Sequence, residues 1–307
     1  MKIFIKKCSI FLSIVVFLYS SSIIFVYFIG AKYTTSPFSF LYHYQLGKLR
    51  TVKNVNTVFI GDSSLGNCIN TNHFDSLLIN CKSVNLALTG YYGYAGSYNM
   101  LKKAIKQYPT LKNVVIMQTL GLQTREISYR GYAYTATSAE DFYELSFWYM
   151  FNSLIEYANI RDAFFTISRN IANKNIINSS LIKDDYIKQG NKRNFSDYKG
   201  YFNPLKIQSN KNYFLKKISE ICKDNDLNLI YIHGPILNKI ANNSLEYINA
   251  TNTIISNSDV FLIEQIITVE NEELGDESDH INPNAKNKYS KIVEEILRPY
   301  LKFQITL

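Results

Sequence analysis

Two serines, Ser63 and Ser64, follow an apolar run at a position where a serine hydroxyl could act as a nucleophile. The run at 57–60 has the length and β-branched content of a buried strand, and Gly61-Asp62 marks a turn. A hydroxyl at a strand-to-helix turn lies at the carboxyl edge of a sheet, near backbone N–H groups that can hold an anion. Gly-Asp-Ser-Ser is also an ordinary turn in which Asp62 or Ser63 caps a helix.

An acid-rich loop with one histidine lies far downstream, just before the last predicted helix. It contains Asp276, Glu277, Asp279 and His280 within five residues. A serine nucleophile needs a base, which is usually histidine, and the histidine needs an acidic partner that fixes its tautomer. Together with Ser63, this loop therefore supplies the parts of a serine hydrolase or acyltransferase.

The composition is that of a folded protein without a nucleic-acid or metal signature. The 307 residues are 47% hydrophobic and 19% charged, which suffices for one sizeable core. The net charge of +8 comes from scattered Lys and Arg, so no nucleic-acid partner is expected. The cysteines, at 8, 68, 81 and 222, form no Cys-x-x-Cys pair, so we expect no metal or cofactor. Cys68 and Cys81 are either a disulfide of an exported domain or two free thiols.

The N-terminus has the pattern of a membrane anchor. Residues 1–7 are basic, and the 23 residues at 8–30 carry no charge, which is long enough for one transmembrane helix. The basic flank predicts a cytoplasmic N-terminus with the rest of the chain outside the membrane, and the length of the apolar stretch favours an uncleaved anchor over a signal peptide. Residues 31–54 are interpreted as a polar and aromatic linker.

Strand-like and helix-like stretches alternate over residues 55–303, which predicts an α/β domain with a parallel sheet covered by helices on both faces. A Tyr-rich stretch at 122–205 breaks this rhythm and is interpreted as an insertion at the active-site end, with helical pieces at 139–155 and 159–173. The predicted strands lie at 55–60, 83–88, 113–117, 227–232 and 260–263, and the predicted helices at about 64, 95–107, 211–225, 236–250 and 284–301.

Polar residues follow several of the predicted strands. Ligands of a doubly wound sheet bind beyond the carboxyl ends of its strands. Gly90, Gln118 and His233 all follow strands, so His233 is a candidate substrate contact, with loop packing as the alternative. His43 in the linker and His73 after the serine motif are expected at the surface.

Three short motifs make the sequence resemble the SGNH (GDSL-type) hydrolase superfamily: GDS at 61–63, NLALTG at 85–90 and ESDHINPNA at 277–285. The resemblance implies a flavodoxin-like parallel sheet with Ser63 as the nucleophile and His280 as the base. It also implies that the backbone N–H groups of Ser63 and Gly90 form the oxyanion hole. The acid three residues before the histidine is Glu277, where the family has Asp; Asp276 and Asp279 are alternative partners.

The third family motif, Gly-x-Asn-Asp, is missing after the third predicted strand, so the family's oxyanion asparagine has no match. Gln118, Gln123 and Asn99 are the candidates to replace it, and Asn99 and Gln118 are also candidate substrate contacts. Anchored proteins of this superfamily commonly act on exported polysaccharides, so the resemblance implies a serine esterase or O-acyltransferase that acts on O-acyl groups of an exported or cell-surface polysaccharide. The alternative is a catalytically inactive glycan-binding or assembly subunit.

Overall fold

A five-stranded parallel sheet forms the centre of the domain in the computed structural model. The sheet strands are β1 (Thr57–Gly61), β2 (Ser83–Asn85), β3 (Asn113–Gln118), β6 (Asn228–His233) and β8 (Phe261–Ile263). The structure describes residues 2–25, 37–125, 129–136, 146–157, 182–183, 186–187, 190–196, 198, 200–208 and 212–303.

The spatial order of the strands is β2-β1-β3-β6-β8. Counted within this sheet the order is 2-1-3-4-5, so the direction of winding reverses between β1 and β3 and leaves a crevice there at the carboxyl edge. All five predicted strands are found, and the α/β class with a parallel sheet is confirmed. The smaller strands form two separate pairs: β4 (Ile182–Lys183) with β5 (Tyr186–Ile187), and β7 (Ile236–Leu237) with β9 (Thr268–Val269).

The central strands are buried on both faces because their side chains alternate between two cores. In β3, Val114 and Ile116 join one core, whereas Val115 and Met117 join the other. The first core packs under α2 (Pro37–Thr51), α5 (Gly93–Gln107), α6 (Tyr129–Thr135), α7 (Phe147–Tyr157) and α8 (Tyr213–Asp224). The second packs under α3 (Ser63–Cys68), α4 (Thr71–Ser76), α9 (Asn238–Asn242), α10 (Leu245–Ser256) and α11 (Lys286–Leu297).

The second half of the predicted linker is a helix of the domain. In α2, Leu41, Tyr42 and Leu49 are buried, and Gln45 Nε2 donates to Ala87 O at 2.6 Å. The linker prediction was wrong for this stretch. Its buried residues recur at helical spacing, but the polar residues between them make this periodicity difficult to recognise in the sequence.

The N-terminal residues form α1 (Lys2–Phe25), and residues 26–30 of the predicted anchor lie outside the described part of the chain. One window of α1, Lys2–Ser21, is long and apolar enough to cross a membrane, with a mean hydropathy of 1.9, and it is not buried against the domain.

Other boundaries differ from the predictions. The helix predicted at 236–250 begins with β7 instead, and two helices, α9 and α10, follow. Part of the helix predicted at 139–155 is found as α7, whereas the one at 159–173 lies outside the described residues. Cys68 and Cys81 are free thiols, and burial raises the pKa of each to about 12.

Candidate active site

The serine loop is fixed by Asp62, the N-cap of α3. Its Oδ1 accepts hydrogen bonds from the Ser64 N–H at 3.0 Å and from Ser64 Oγ at 2.6 Å, and its Oδ2 accepts one from the Thr119 N–H at 2.9 Å. Ser64 is therefore a buried structural residue, and the half-buried Ser63 keeps its hydroxyl unbonded among the described residues. The sequence offered helix capping and a nucleophile as alternative interpretations of this turn. In the structure Asp62 is the cap, and Ser63 remains the candidate nucleophile.

The turn is tight because β1 and β3 approach each other closely at its start. A Cβ on Gly61 would overlap the carbonyl oxygen of Met117, so glycine is required there. Burial and the charge of Asp279 raise the pKa of Asp62, while hydrogen bonds from Ser64 and Thr119 oppose this rise. Thr119, whose N–H donates to Asp62, lines the same cavity as Asp279, so the acid-rich loop lies near the serine loop.

Contacts between α3 and α11 bring the two motifs together at one edge of the sheet. Lys286 Nζ at the start of α11 donates to Gly66 O in α3 at 2.8 Å. The Asn70 N–H after α3 donates to Ser290 Oγ in α11 at 2.8 Å. These contacts position the loop that precedes α11, and with it His280, beside the serine loop.

His280 is oriented by Asp276. His280 Nδ1 and Asp276 Oδ1 are hydrogen-bonded at 2.8 Å, and the Gly190 N–H donates to Asp276 Oδ2 at 2.6 Å. The sequence favoured Glu277 as the partner, with Asp276 as an alternative. The structure corrects this choice, because Glu277 reaches only to 4.0 Å from Nε2 and its side chain is 58% exposed.

The second ring nitrogen of His280, Nε2, is buried and has no hydrogen-bond partner among the residues that the structure describes. It therefore makes no hydrogen bond with Ser63, although it lies 3.9 Å from Asp279 Oδ1. Burial alone would lower the pKa of His280, but the hydrogen bond with Asp276 and the charges of Asp279 and Glu277 outweigh burial and raise it to about 9. The imidazole is thus held largely protonated near neutral pH.

Two backbone N–H groups at the carboxyl edge of the sheet are without an acceptor in the described part of the chain. The N–H groups of Ser63 and Gly90 donate no hydrogen bond to any residue that the structure describes. A Cβ on Gly90 would collide with Nη1 of Arg125 and would lie 3.7 Å from Asp62 Oδ2. The Arg125 guanidinium therefore packs on Gly90 and next to Asp62, where it supplies a cation and further N–H donors.

A cavity of about 180 Å³ opens beside Arg125, and Ser63, Gly90 and His280 are not among the described residues that line it. Thr119 and Arg125 line it on one side, and Glu277 and Asp279 line it on the other. Aromatic side chains close it from the predicted insertion: Tyr198, Tyr201 and Phe202. The described part of the insertion therefore contributes a wall of the cavity.

The remaining candidate residues lie in the interior instead of lining this cavity. Gln118 Nε2 donates to Ser97 Oγ at 3.0 Å, Asn99 Nδ2 to Thr135 Oγ1 at 2.8 Å, and Gln123 Nε2 to Tyr94 OH at 2.9 Å. These amides thus stabilise the packing around α5. Their prediction as substrate or oxyanion contacts was wrong, because their side chains bond to interior residues.

The prediction of His233 as a substrate contact was also wrong, and the alternative, a histidine packed in the interior, is what the structure shows. It is fully buried at the end of β6, and its Nε2 is hydrogen-bonded to Asn252 Oδ1 at 2.7 Å. Burial lowers its pKa to about 4, so it is neutral under physiological conditions.

Glu277, Asp279 and His280 also form a group of potential metal ligands within the described chain, with ligand atoms within 4.8 Å of one another. Zinc bound at the usual 2.0–2.2 Å would require these atoms to move closer together. No other feature of the described residues indicates an ion, so we assign none.

Arg125 was missed from the sequence. It lies in a stretch without a recognisable motif, seven residues beyond β3. The signal that could have found it is topological: the loop after β3 flanks the switch point of the sheet, so its side chains border the crevice.

Known proteins give no separate assignment of this chain. No protein-family model matches the sequence. Comparison with curated proteins and with solved structures found no match either. The function is therefore argued from the chemistry of the site.

Proposed function

We propose that this chain is a membrane-anchored serine esterase or O-acyltransferase of the SGNH type, acting on O-acyl groups of an exported or cell-surface polysaccharide. The observation that carries the proposal is the Asp276–His280 pair, whose Nε2 has no hydrogen-bond partner among the described residues and whose loop leads into α11, the helix that packs on the serine helix α3. Catalytic hydrogen bonds are often long before substrate binds, so the missing Ser63–His280 bond is compatible with catalysis.

In the first step, Ser63 Oγ attacks the carbonyl carbon of the ester while His280 Nε2 accepts the serine proton. Asp276 holds the imidazole through Nδ1 and stabilises its charge. The carbonyl π electrons move to oxygen, and the N–H groups of Ser63 and Gly90 stabilise the resulting oxyanion. Such a donor contributes about 3 kcal/mol in measured cases.

Arg125 takes the place of the missing asparagine in this proposal. Its guanidinium packs on Gly90, next to the backbone N–H that would face the oxyanion. A permanent cation there favours negative charge that develops on the carbonyl oxygen.

The tetrahedral intermediate collapses when the bond to the sugar oxygen breaks and His280 gives its proton to that oxygen. An acyl group then remains on Ser63. Water or a second sugar hydroxyl attacks its carbonyl carbon and loses a proton to His280. His280 then gives this proton to Ser63 Oγ as the bond between the acyl carbon and Ser63 Oγ breaks, which restores the free serine. Water as the acceptor makes the protein an esterase, and a sugar hydroxyl makes it a transferase.

The cavity supports a carbohydrate substrate. Its aromatic wall, Tyr198, Tyr201 and Phe202, suits the apolar face of a sugar ring, and its charged groups can bond to hydroxyls. The basic residues at the start of α1 favour a cytoplasmic N-terminus, which would put the domain outside the membrane, where such glycans are found.

The test is hydrolysis of p-nitrophenyl acetate by the full-length protein and by Ser63→Ala. We expect the substitution to reduce the rate to background and to abolish labelling by a fluorophosphonate probe. The matched control is Ser76→Ala, which changes an exposed serine in α4 and should retain full activity. Equal rates for wild type and Ser63→Ala would contradict the proposal.

The inactive, glycan-binding alternative is favoured by one observation. A base must be unprotonated, and the raised pKa of His280 keeps it largely protonated near neutral pH. In that case wild type shows no esterase activity or fluorophosphonate labelling even at pH 9–10, and Ser63→Ala retains wild-type glycan binding in a glycan-array measurement.

A further inference from the structure

One face of α7 exposes a continuous group of large apolar side chains. Phe147, Trp148, Phe151 and Ile155 are 66%, 70%, 45% and 44% exposed, and their spacing puts them on the same side of the helix. We call them the aromatic face of α7. The opposite side of the helix is anchored in the domain core through Tyr149, which is buried.

The rings of the aromatic face pack on each other. Phe147 and Phe151 are stacked with centroids 6.2 Å apart, and Trp148 meets Phe151 edge-on at the same distance. Clusters of exposed large apolar residues are uncommon on soluble proteins unless they serve an interaction. We therefore expect the aromatic face of α7 to bind an apolar partner.

The aromatic face lies on the flank of the domain that the N-terminal helix leads to. Tyr149 of α7 packs against Tyr132 of α6 with ring centroids 5.9 Å apart. At the end of α6, Thr135 O accepts a hydrogen bond from Tyr42 OH of α2 at 3.0 Å. Thus α7, α6 and α2 form one continuous layer, and α2 is the first described element after α1.

The distance from α1 to this layer is limited by covalent geometry. Eleven residues, 26–36, separate α1 from α2. An extended chain of that length reaches about 40 Å at most. If α1 spans a bilayer, the start of α2, which belongs to the same layer as α7, is therefore held within that distance of the end of α1.

We propose that the aromatic face of α7 inserts into the interfacial region of the bilayer that α1 spans. Trp and other aromatic side chains favour the membrane–water interface, and a helix with one apolar face lies in its plane. The domain then contacts the membrane surface through α7, in addition to its covalent connection to α1. This inference requires α1 to lie in the bilayer, and it is independent of any catalytic activity.

The test uses Trp148, which is the only tryptophan in the chain. Its fluorescence is recorded for the full-length protein in lipid nanodiscs, with either ordinary lipids or lipids brominated in the upper acyl chain. We expect the brominated lipids to reduce emission about two-fold or more, and aqueous iodide to quench weakly, because the side chain is in the interface.

The control moves the reporter to another exposed aromatic position. Phe261 on the edge strand β8 is 50% exposed and lies outside the aromatic face. In Trp148→Phe/Phe261→Trp, the fluorescence should respond to iodide and not to brominated lipids.

Three results would overturn the inference. Trp148 in nanodiscs that is quenched by iodide and not by brominated lipids faces water. Trp148 that neither agent quenches is covered by protein, which indicates a second copy of the chain. A chain that does not remain with the nanodiscs would remove the anchor on which the inference depends.

Discussion

His233 lies at the end of β6 and His280 lies in the loop before α11, and both side chains are buried. His233 is hydrogen-bonded to the neutral amide of Asn252, whereas His280 is surrounded by three carboxylates. Burial lowers the pKa of His233 to about 4. It acts on His280 in the same direction, but the carboxylates raise that pKa to about 9.

The difference shows that burial alone does not identify a functional histidine. Desolvation disfavours the imidazolium at both positions, and the nearby charges decide the outcome. His233 is neutral and has a structural partner, which is the state of a core residue. His280 has a strongly shifted pKa caused by neighbouring charges, which is typical of residues at functional sites.

The largest expected effect comes from replacing each histidine by glutamine. We expect His280→Gln to reduce kcat/KM for p-nitrophenyl acetate by at least about 10³-fold, because the proton acceptor is lost. His233→Gln should retain kcat and lower the unfolding free energy by about 1–3 kcal/mol, because a buried polar contact is disturbed. Steady-state kinetics and thermal unfolding of both variants measure the two effects. If both variants lose activity alike with intact folding, the distinction between the histidines is wrong.

A smaller effect on kcat is expected from replacing Arg125. This residue puts a cation near the candidate site, and the structure describes no such cation around His233. Arg125→Ala should lower kcat by about 10²-fold because one charged oxyanion donor is lost, with a smaller change in KM. Arg125→Lys should recover part of the rate. Arg50→Ala, on the exposed side of α2, is the control and should leave kcat unchanged. A change confined to KM would make Arg125 a substrate-binding residue.

The carboxylates themselves provide the next test. Glu277→Gln/Asp279→Asn removes two of the charges that raise the pKa of His280. The limb of kcat/KM that rises near pH 9 in the wild type should move to lower pH, and activity at pH 7 should increase by about 10-fold for each unit of displacement. Glu246→Gln, at an exposed acid of α10, should leave the profile in place. An unchanged profile in the double variant would show that these charges do not control the base.

The sheet could be predicted from the sequence because each strand is a short, β-branched run that ends at a turn signal. Val114 to Met117 shows this clearly: an uninterrupted apolar run is what a strand buried on both faces requires. The roles of Asp62 as a cap and of the acid-rich loop beside it were also accessible from local patterns. Their relative position needed the contacts between α3 and α11, which are separated by more than 200 residues.

Other features of the site depend on the direction in which each side chain points, and the spacing of residues in the sequence does not give this direction. Gln118 and His233 do end strands, but their side chains point into the interior, because alternate positions of a strand face opposite sides. The partner of His280 is Asp276 and not Glu277, because the loop turns its polar groups according to contacts such as the Gly190 N–H. Gly190 is 86 residues away in the chain, and no local pattern indicates it.

The smallest expected effect is on stability, and it separates the two histidines by pH. The folded-state pKa of His280 is above its unfolded value, so its contribution is present below about pH 6.5 and is lost as pH rises toward 9. The folded-state pKa of His233 is below its unfolded value, so stability is lost as pH falls from about 6.5 toward 4. Each limb amounts to at most about 3 kcal/mol. Urea unfolding across this range should show that His280→Gln flattens the alkaline limb and His233→Gln the acid limb, because each variant removes one titrating group. Loss of the acid limb in His280→Gln would reverse the assignment.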